Sequence, residues 1–245
     1  MERTKGAIAA AAGFCLVLAA ILFVTAATVC NMAGDRGLLA VEMRRHSAPK
    51  VSGLPEEHYQ DMARMIAEYL TGKRDEFQYC YTDREGETVV CFRPHEVDHM
   101  ADVRQLIRLA EVLRWIMAVM SLVLIVLGIV LRKYRKSYSS GMLAGFGVSA
   151  VSGMLILIWG IVNFGGFFTV FHMLAFTNFS WLLDARTDML IRLMPASLFS
   201  SLGGKLLLTI TAVALLALTA AVMLRMTGEN KQEELAAGEA GCAAE

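Results

Sequence analysis

Four apolar runs constrain this chain more than any other feature: Ala7–Val29, Val112–Leu131, Gly141–Asn163 and Leu206–Leu224. Each is about 19–23 residues long, which at ~1.5 Å per helical residue matches a bilayer core of ~30 Å. Charged residues fall only at their edges. The apolar content of 56% and mean hydropathy of +0.51 exceed those of an ordinary soluble domain. The fold class this implies is an all-α polytopic membrane protein with four transmembrane helices. A small α+β extracytoplasmic segment and an interfacial or re-entrant outer loop complete it.

The net charge is zero, so the total carries no information about partners, but its distribution does. Arg3 and Lys5 precede the first run. Arg132, Lys133, Arg135 and Lys136 fill the loop between the second and third, and Arg225 and Lys231 follow the fourth. Basic residues in short loops mark the cytoplasmic side. Both termini are then expected to be cytoplasmic. The division expected is residues 1–29 for the N-terminus and first span, 30–111 for an extracytoplasmic segment leading into the second span, and 112–131 for that span. Residues 132–140 form a basic cytoplasmic loop, 141–163 the third span, 164–205 an extracytoplasmic aromatic and polar loop, and 206–226 the fourth span. Residues 227–245 read as a disordered cytoplasmic tail. The run Ala26–Ala27–Thr28–Val29–Cys30 hints at a lipoprotein cleavage site, but Val29 stands where a small residue is wanted and the apolar run is long for a signal.

Within 30–111, Met62, Ile66 and Tyr69–Leu70 recur at helical spacing between Pro55 and Gly72, giving a helix over His58–Leu70. The stretch FQYCYTDREGETVVCF reads as a hairpin about Glu85–Gly86. A two-residue turn there sets Cys80 opposite Cys91, and the choice between a disulfide and two small apolar residues stays open. A helix from Pro94 has no breaker before the second span and is expected to continue into it. The segment is too small to bury a large core alone and is expected to pack on the bilayer face and helix ends. In 164–205, Gly165–Gly166 breaks the third span, and dense aromatics follow, as at a headgroup level. Asp188–Met194 reads as a short interfacial helix stopped by Pro195. Asp184, Arg186, Asp188 and Arg192 argue against a fifth crossing.

His95–Glu96–Val97–Asp98–His99 matches H-E-x-x-H, whose histidines share a helix face and suit Zn²⁺ with the glutamate as base. Asp98 is foreign to that motif, and no third ligand follows nearby. A second reading keeps Glu96, His99, Asp102 and Arg104, with a carboxylate three residues to either side of the His99 imidazole. His172 falls at the same outer edge if the topology holds, so the two histidines can converge. Asn178, Trp181, Asp184, Asp188 and Arg192 are candidates to surround them. Arg192 suits a phosphate or ester oxygen, or equally a lipid headgroup. There is no G-x-S-x-G elbow, phosphate-cradling glycine loop or Cys-x-x-Cys. A histidine pair without a protein nucleophile suggests that the substrate supplies its own.

EYLTGK (68–73), FRPHEVDHMADVRQL (92–106), FHMLAFTNFSWLLDARTDMLIRLMP (171–195) and the four-span layout resemble the lipoprotein intramolecular transacylase family of Gram-positive bacteria. The resemblance runs from the first span to the fourth. It implies an acyltransferase that moves the sn-2 acyl chain of a diacylglyceryl-cysteine lipoprotein onto the α-amine of that cysteine, leaving a lyso-form lipoprotein. It implies that His99 and His172 carry the catalysis. Glu96, Asp102 and Asp188 are, on the reading of the residues, candidates to orient the imidazoles. The partners implied are diacylglyceryl-modified lipoproteins among membrane phospholipids, with no nucleic acid, cofactor or metal. His95 is not part of the family's pattern and reads as incidental. The competing readings are a zinc membrane peptidase and a non-enzymatic four-span adaptor or sensor.

Overall fold

The computed structural model describes residues 2–242, with side chains through Met226. Among the described residues there are nine α-helices, α1 (Glu2–Gly34), α2 (Arg36–His46), α3 (Pro49–Ser52), α4 (Tyr59–Leu70), α5 (Pro94–Val130), α6 (Arg135–Val162), α7 (Phe164–Ala175), α8 (Met189–Leu193) and α9 (Ala196–Cys242), and two strands, β1 (Cys80–Thr82) and β2 (Thr88–Val90). Four helical stretches, Glu2–Gly34, Pro94–Val130, Arg132–Val162 and Ala196–Met226, are long and apolar enough to cross a membrane. The chain divides into two compact units.

The first unit comprises Met1–Thr25, Leu113–Ile156 and Leu208–Glu245. Its buried residues are few and small, with Ala9, Ala12, Val17 and Ala221 around Tyr138 and Met142. Close helix approach replaces a large core. A Cβ at Gly13 would collide with the Tyr138 carbonyl, and one at Gly141 with that of Ala10. Small residues at helix contacts are the membrane solution to packing without a hydrophobic driving force. The large apolar side chains here, among them Val119, Leu122 and Leu155, point outward, as lipid requires. The expected loop 132–140 is largely helical, with only a single 3-10 turn at Arg132–Tyr134 before α6. In the tail, the backbone of α9 stays helical to Cys242, and the rest of that expectation lies outside the described residues.

The second unit comprises Ala26–Val112 and Leu157–Leu207, and it has a true core. Asp35 caps α2 by accepting from Leu38 N at 2.9 Å. Gly72, with φ 76°, ends the turn after α4. Leu39 and Met43 of α2, Met62 and Ile66 of α4, Phe77, Phe92, Met100 of α5 and Leu190, Leu193 and Leu198 share one buried cluster. The region 30–111 therefore buries much of its apolar surface within the protein. Residues 189–198, between the third and fourth candidate spans, complete its core.

The hairpin corrects the cysteine expectation. Asp83 accepts from Glu85 N and Glu87 N, both at 2.9 Å, and Gly86 takes φ 86°. That makes a three-residue connection in place of the expected two-residue turn. The pairing is Cys80 with Val90 and Thr82 with Thr88, and Cys91 N bonds Tyr79 O. A one-residue slip flips the face of every side chain. Cys80 is exposed, Cys91 is buried, and both thiols are free.

Candidate active site

Every candidate site residue lies in the second unit. The sequence around Pro94 fixes where His99 points. Pro94 occupies the first position of α5, where its missing N–H costs nothing. Glu96, two residues on, accepts from Arg93 N at 2.8 Å and so satisfies an amide at the start of α5. Its other oxygen accepts from Leu190 N at 2.7 Å, capping α8 as well. Glu96 is fully buried, and both its oxygens are committed to backbone amides. It therefore joins two helix starts and does not orient an imidazole.

Beside it, Asp188 is equally engaged. Its Oδ2 accepts from His95 Nε2 at 3.0 Å and Asp184 N at 2.8 Å, and its Oδ1 from Thr187 Oγ1 at 2.9 Å. Burial pushes its pKa up, but the hydrogen bonds from His95, Asp184 and Thr187 outweigh this and keep it lowered. His95, expected to be incidental, thus helps hold α5 to the 184–190 segment.

His99 follows one turn after His95, in the polar part of α5 that precedes the apolar run. His172 sits on α7. That helix starts at Asn163, whose Oδ1 accepts from Gly166 N at 2.8 Å. A Cβ on Gly166 would lie 2.6 Å from the Asn163 side chain, so this glycine serves the cap. The break after the third span accordingly falls at Asn163, and helix resumes at once where a loop was expected.

The two histidine rings stand 5.9 Å apart between centroids, at 35°. Each is only 7% exposed. Phe176 packs on both, at 5.2 Å from His99 and 5.5 Å from His172. Phe168 and Trp181 flank His172 at 4.2 and 5.2 Å. His172 Nδ1 is 2.7 Å from the Phe168 carbonyl, which can only accept, so Nδ1 carries the proton and Nε2 the lone pair. His99 Nδ1 is buried with no hydrogen-bond partner. An unpaired lone pair is more easily buried than an unpaired N–H, which assigns the His99 proton to Nε2.

Burial lowers the His99 pKa to about 4; neighbouring His172 adds to this and Asp102 opposes it. Burial also lowers His172, against its bond to Phe168. Both imidazoles are therefore neutral near pH 7, one offering a base and the other a donor.

The remaining candidates separate. Asp102 Oδ2 accepts from Asn178 Nδ2 at 2.7 Å and Ser180 Oγ at 3.4 Å, tying the loop that bears Trp181 to α5. Arg104 instead turns to Tyr69, 4.8 Å above its ring, and to Asp75 at 3.4 Å. Arg192 Nε donates to Asp188 O at 3.1 Å. Asp184 pairs with exposed Arg186, whose hydrogen bonds hold its carboxyl at about 2. Among the described residues, no three His, Cys, Asp or Glu side chains are arranged to hold one metal ion. The H-E-x-x-H motif in particular is split, since His95 and Glu96 are engaged with Asp188, Arg93 and Leu190. Sequence reasoning missed Phe168 and Phe176. They lie four residues to either side of His172, and that helical spacing was the only signal available.

Comparison with known proteins bears on this site. The family model for lipoprotein intramolecular transacylase Lit matches residues 11–199. No curated protein matches the chain. Among solved structures, the membrane-integral Lit from Bacillus cereus is similar at TM-score 0.65 and 18% identity, covering 88% of this chain and 96% of that one. A variant of the Bacillus cereus protein with one histidine changed to arginine matches at TM-score 0.65 and 17% identity, over 94% and 96% of the two chains. The corresponding alanine variant matches at TM-score 0.60 and 18% identity, over 88% and 94%. At these identities the solved structures establish a shared fold, that of a multi-pass membrane protein. The family model spans more than half the chain, and so the chain belongs to the Lit family of lipoprotein intramolecular transacylases, which are acyltransferases.

Proposed function

We propose that this protein moves the sn-2 acyl chain of a diacylglyceryl-cysteine lipoprotein onto the α-amine of the same cysteine, with His172 as base and His99 as oxyanion donor. The observation that carries the assignment is the His172 Nδ1 bond to Phe168 O, which leaves Nε2 free beside a second neutral imidazole. The amine nitrogen attacks the sn-2 ester carbonyl carbon while His172 Nε2 takes its proton. The carbonyl oxygen gains negative charge and is met by His99 Nε2–H. The tetrahedral intermediate then breaks its bond to the glycerol oxygen, which leaves with the proton from His172. An ester becomes an amide, the sn-2 hydroxyl is freed, and total mass is unchanged. No protein nucleophile is needed.

The distribution of basic residues supports a site at the extracytoplasmic face, with both termini cytoplasmic. That is the face on which a lipoprotein N-terminus is exposed. The test uses purified protein and a diacylglyceryl-cysteine peptide carrying a deuterated chain at sn-2 only. Label appearing on the amine supports the assignment. Label remaining on glycerol, or unlabelled sn-1 chain on the amine, refutes it.

A further inference from the structure

The reacting group of the proposed substrate is a primary α-amine, with an ordinary pKa of about 7.7–8.0. Near neutral pH it arrives largely as an ammonium ion. The histidine pair is neutral and buried, so it offers that ion no counter-charge. Bringing an ammonium among such groups without one is costly. A carboxylate with an unused oxygen is needed nearby.

Four carboxylates lie on or against this part of α5. Glu96 has both oxygens on backbone amides, and Asp188 has both oxygens on His95, Asp184 and Thr187. Asp98 is exposed and adjacent in sequence to His99, so it points from a different helix face. Asp102 differs from all three. It lies three residues after His99, on the same face of α5. Only its Oδ2 is bonded, to Asn178 and Ser180, and no hydrogen bond reaches Oδ1 among the described residues. The loop held by that oxygen carries Trp181 onto His172. Aromatic faces beside a carboxylate are good surroundings for an ammonium ion.

We infer that Asp102 binds the α-ammonium of the incoming cysteine through Oδ1 and so selects unacylated N-termini. The inference rests on the proposed transacylase reading and adds the group that recognises the acceptor. The bound ammonium loses one proton to solvent to become the nucleophile, and its second proton goes to His172 during attack. Once acylated, the nitrogen is a neutral amide with no claim on Asp102, which favours release.

The test is binding, measured with full-length protein in detergent micelles and an ether-linked dialkylglyceryl-cysteine peptide that cannot transfer a chain. The free-amine peptide is compared with its N-acetylated form. Wild type is expected to prefer the free amine at pH 7 by about tenfold or more, as befits a charge-assisted contact. The preference should shrink at pH 9, where the amine is neutral. Asp102→Asn keeps an acceptor for Asn178 and should abolish the preference, while Asp102→Glu should restore part of it. Asn178→Ala loosens the loop but keeps the charge, and should retain it. Equal binding of the two peptides by wild type overturns the inference. So does a preference that survives Asp102→Asn, or one lost equally in Asn178→Ala. Failure of the transacylase reading would show separately, as a wild-type amine preference without acyl migration in the deuterium assay.

Discussion

Two buried polar regions lie within one turn of each other on α5, and they differ in one respect. At the helix start, Glu96 and Asp188 have every oxygen matched to a donor. One turn on, His99 and His172 are almost as buried but leave nitrogens unused. Buried polar groups are normally satisfied, because leaving one unpaired costs stability. The first region follows that rule and holds the fold. The second breaks it at His99 Nδ1, and it leaves His172 Nε2 and His99 Nε2 for the proposed chemistry. Satisfaction, more than burial, separates architecture from reactivity here.

The comparison is broken most directly at its reactive side. His172→Gln and His99→Gln should each lower the rate of acyl transfer by about 10²–10⁴-fold, the usual worth of a positioned acid or base. The unfolding midpoint in detergent should stay near that of wild type. On the satisfied side, Glu96→Ala should cost about 2–5 kcal/mol, because two buried backbone N–H groups lose their acceptor. Glu96→Gln should cost less, since its amide oxygen still caps one helix. Thermal unfolding of the two variants against wild type checks this.

His95→Ala sharpens the comparison, because the zinc reading and the present one disagree on it. It removes one of three donors to Asp188 and should cost about 1–2 kcal/mol of stability while transfer persists. Abolished transfer in a folded His95→Ala protein would count against the assignment.

A further effect concerns pH. Folded His99 titrates at about 4, below the ~6.5 of an unfolded histidine. Between those values the unfolded chain binds more protons, so stability rises with pH across the window. It is fully present above ~6.5 and lost as pH falls toward 4. His99→Gln should flatten the loss of unfolding midpoint between pH 7 and pH 5.

Much of this was legible in the sequence, for reasons that differ by element. The four apolar runs and the uninterrupted helix from Pro94 follow from periodicity and the absence of breakers. Convergence of His99 and His172 was expected from their placement beside spans, and Trp181 and Asp102 were placed near them. The hairpin register was misread because Asp83 ties down two later amides, a choice that alternation of side chains does not reveal. Arg104 and Arg192 were read as site cations, but their partners, Tyr69, Asp75 and the Asp188 carbonyl, are contacts the pattern cannot disclose. Glu96 was read through a metal motif or as a histidine partner. Its role depends on the Leu190 amide, which lies 94 residues away in sequence.

The most direct measurement is the fragmentation mass spectrum of a reporter lipoprotein's N-terminal lipopeptide, from bacteria lacking any other N-acylating enzyme. Wild type, His95→Ala, His99→Ala and His172→Ala are expressed in parallel at matched levels. The expected result is one acyl chain on the amine and one on glycerol, at unchanged total mass, for wild type and His95→Ala. The two other variants should leave both chains on glycerol. Both chains on glycerol in wild type, or transfer that survives loss of both His99 and His172, would contradict the account.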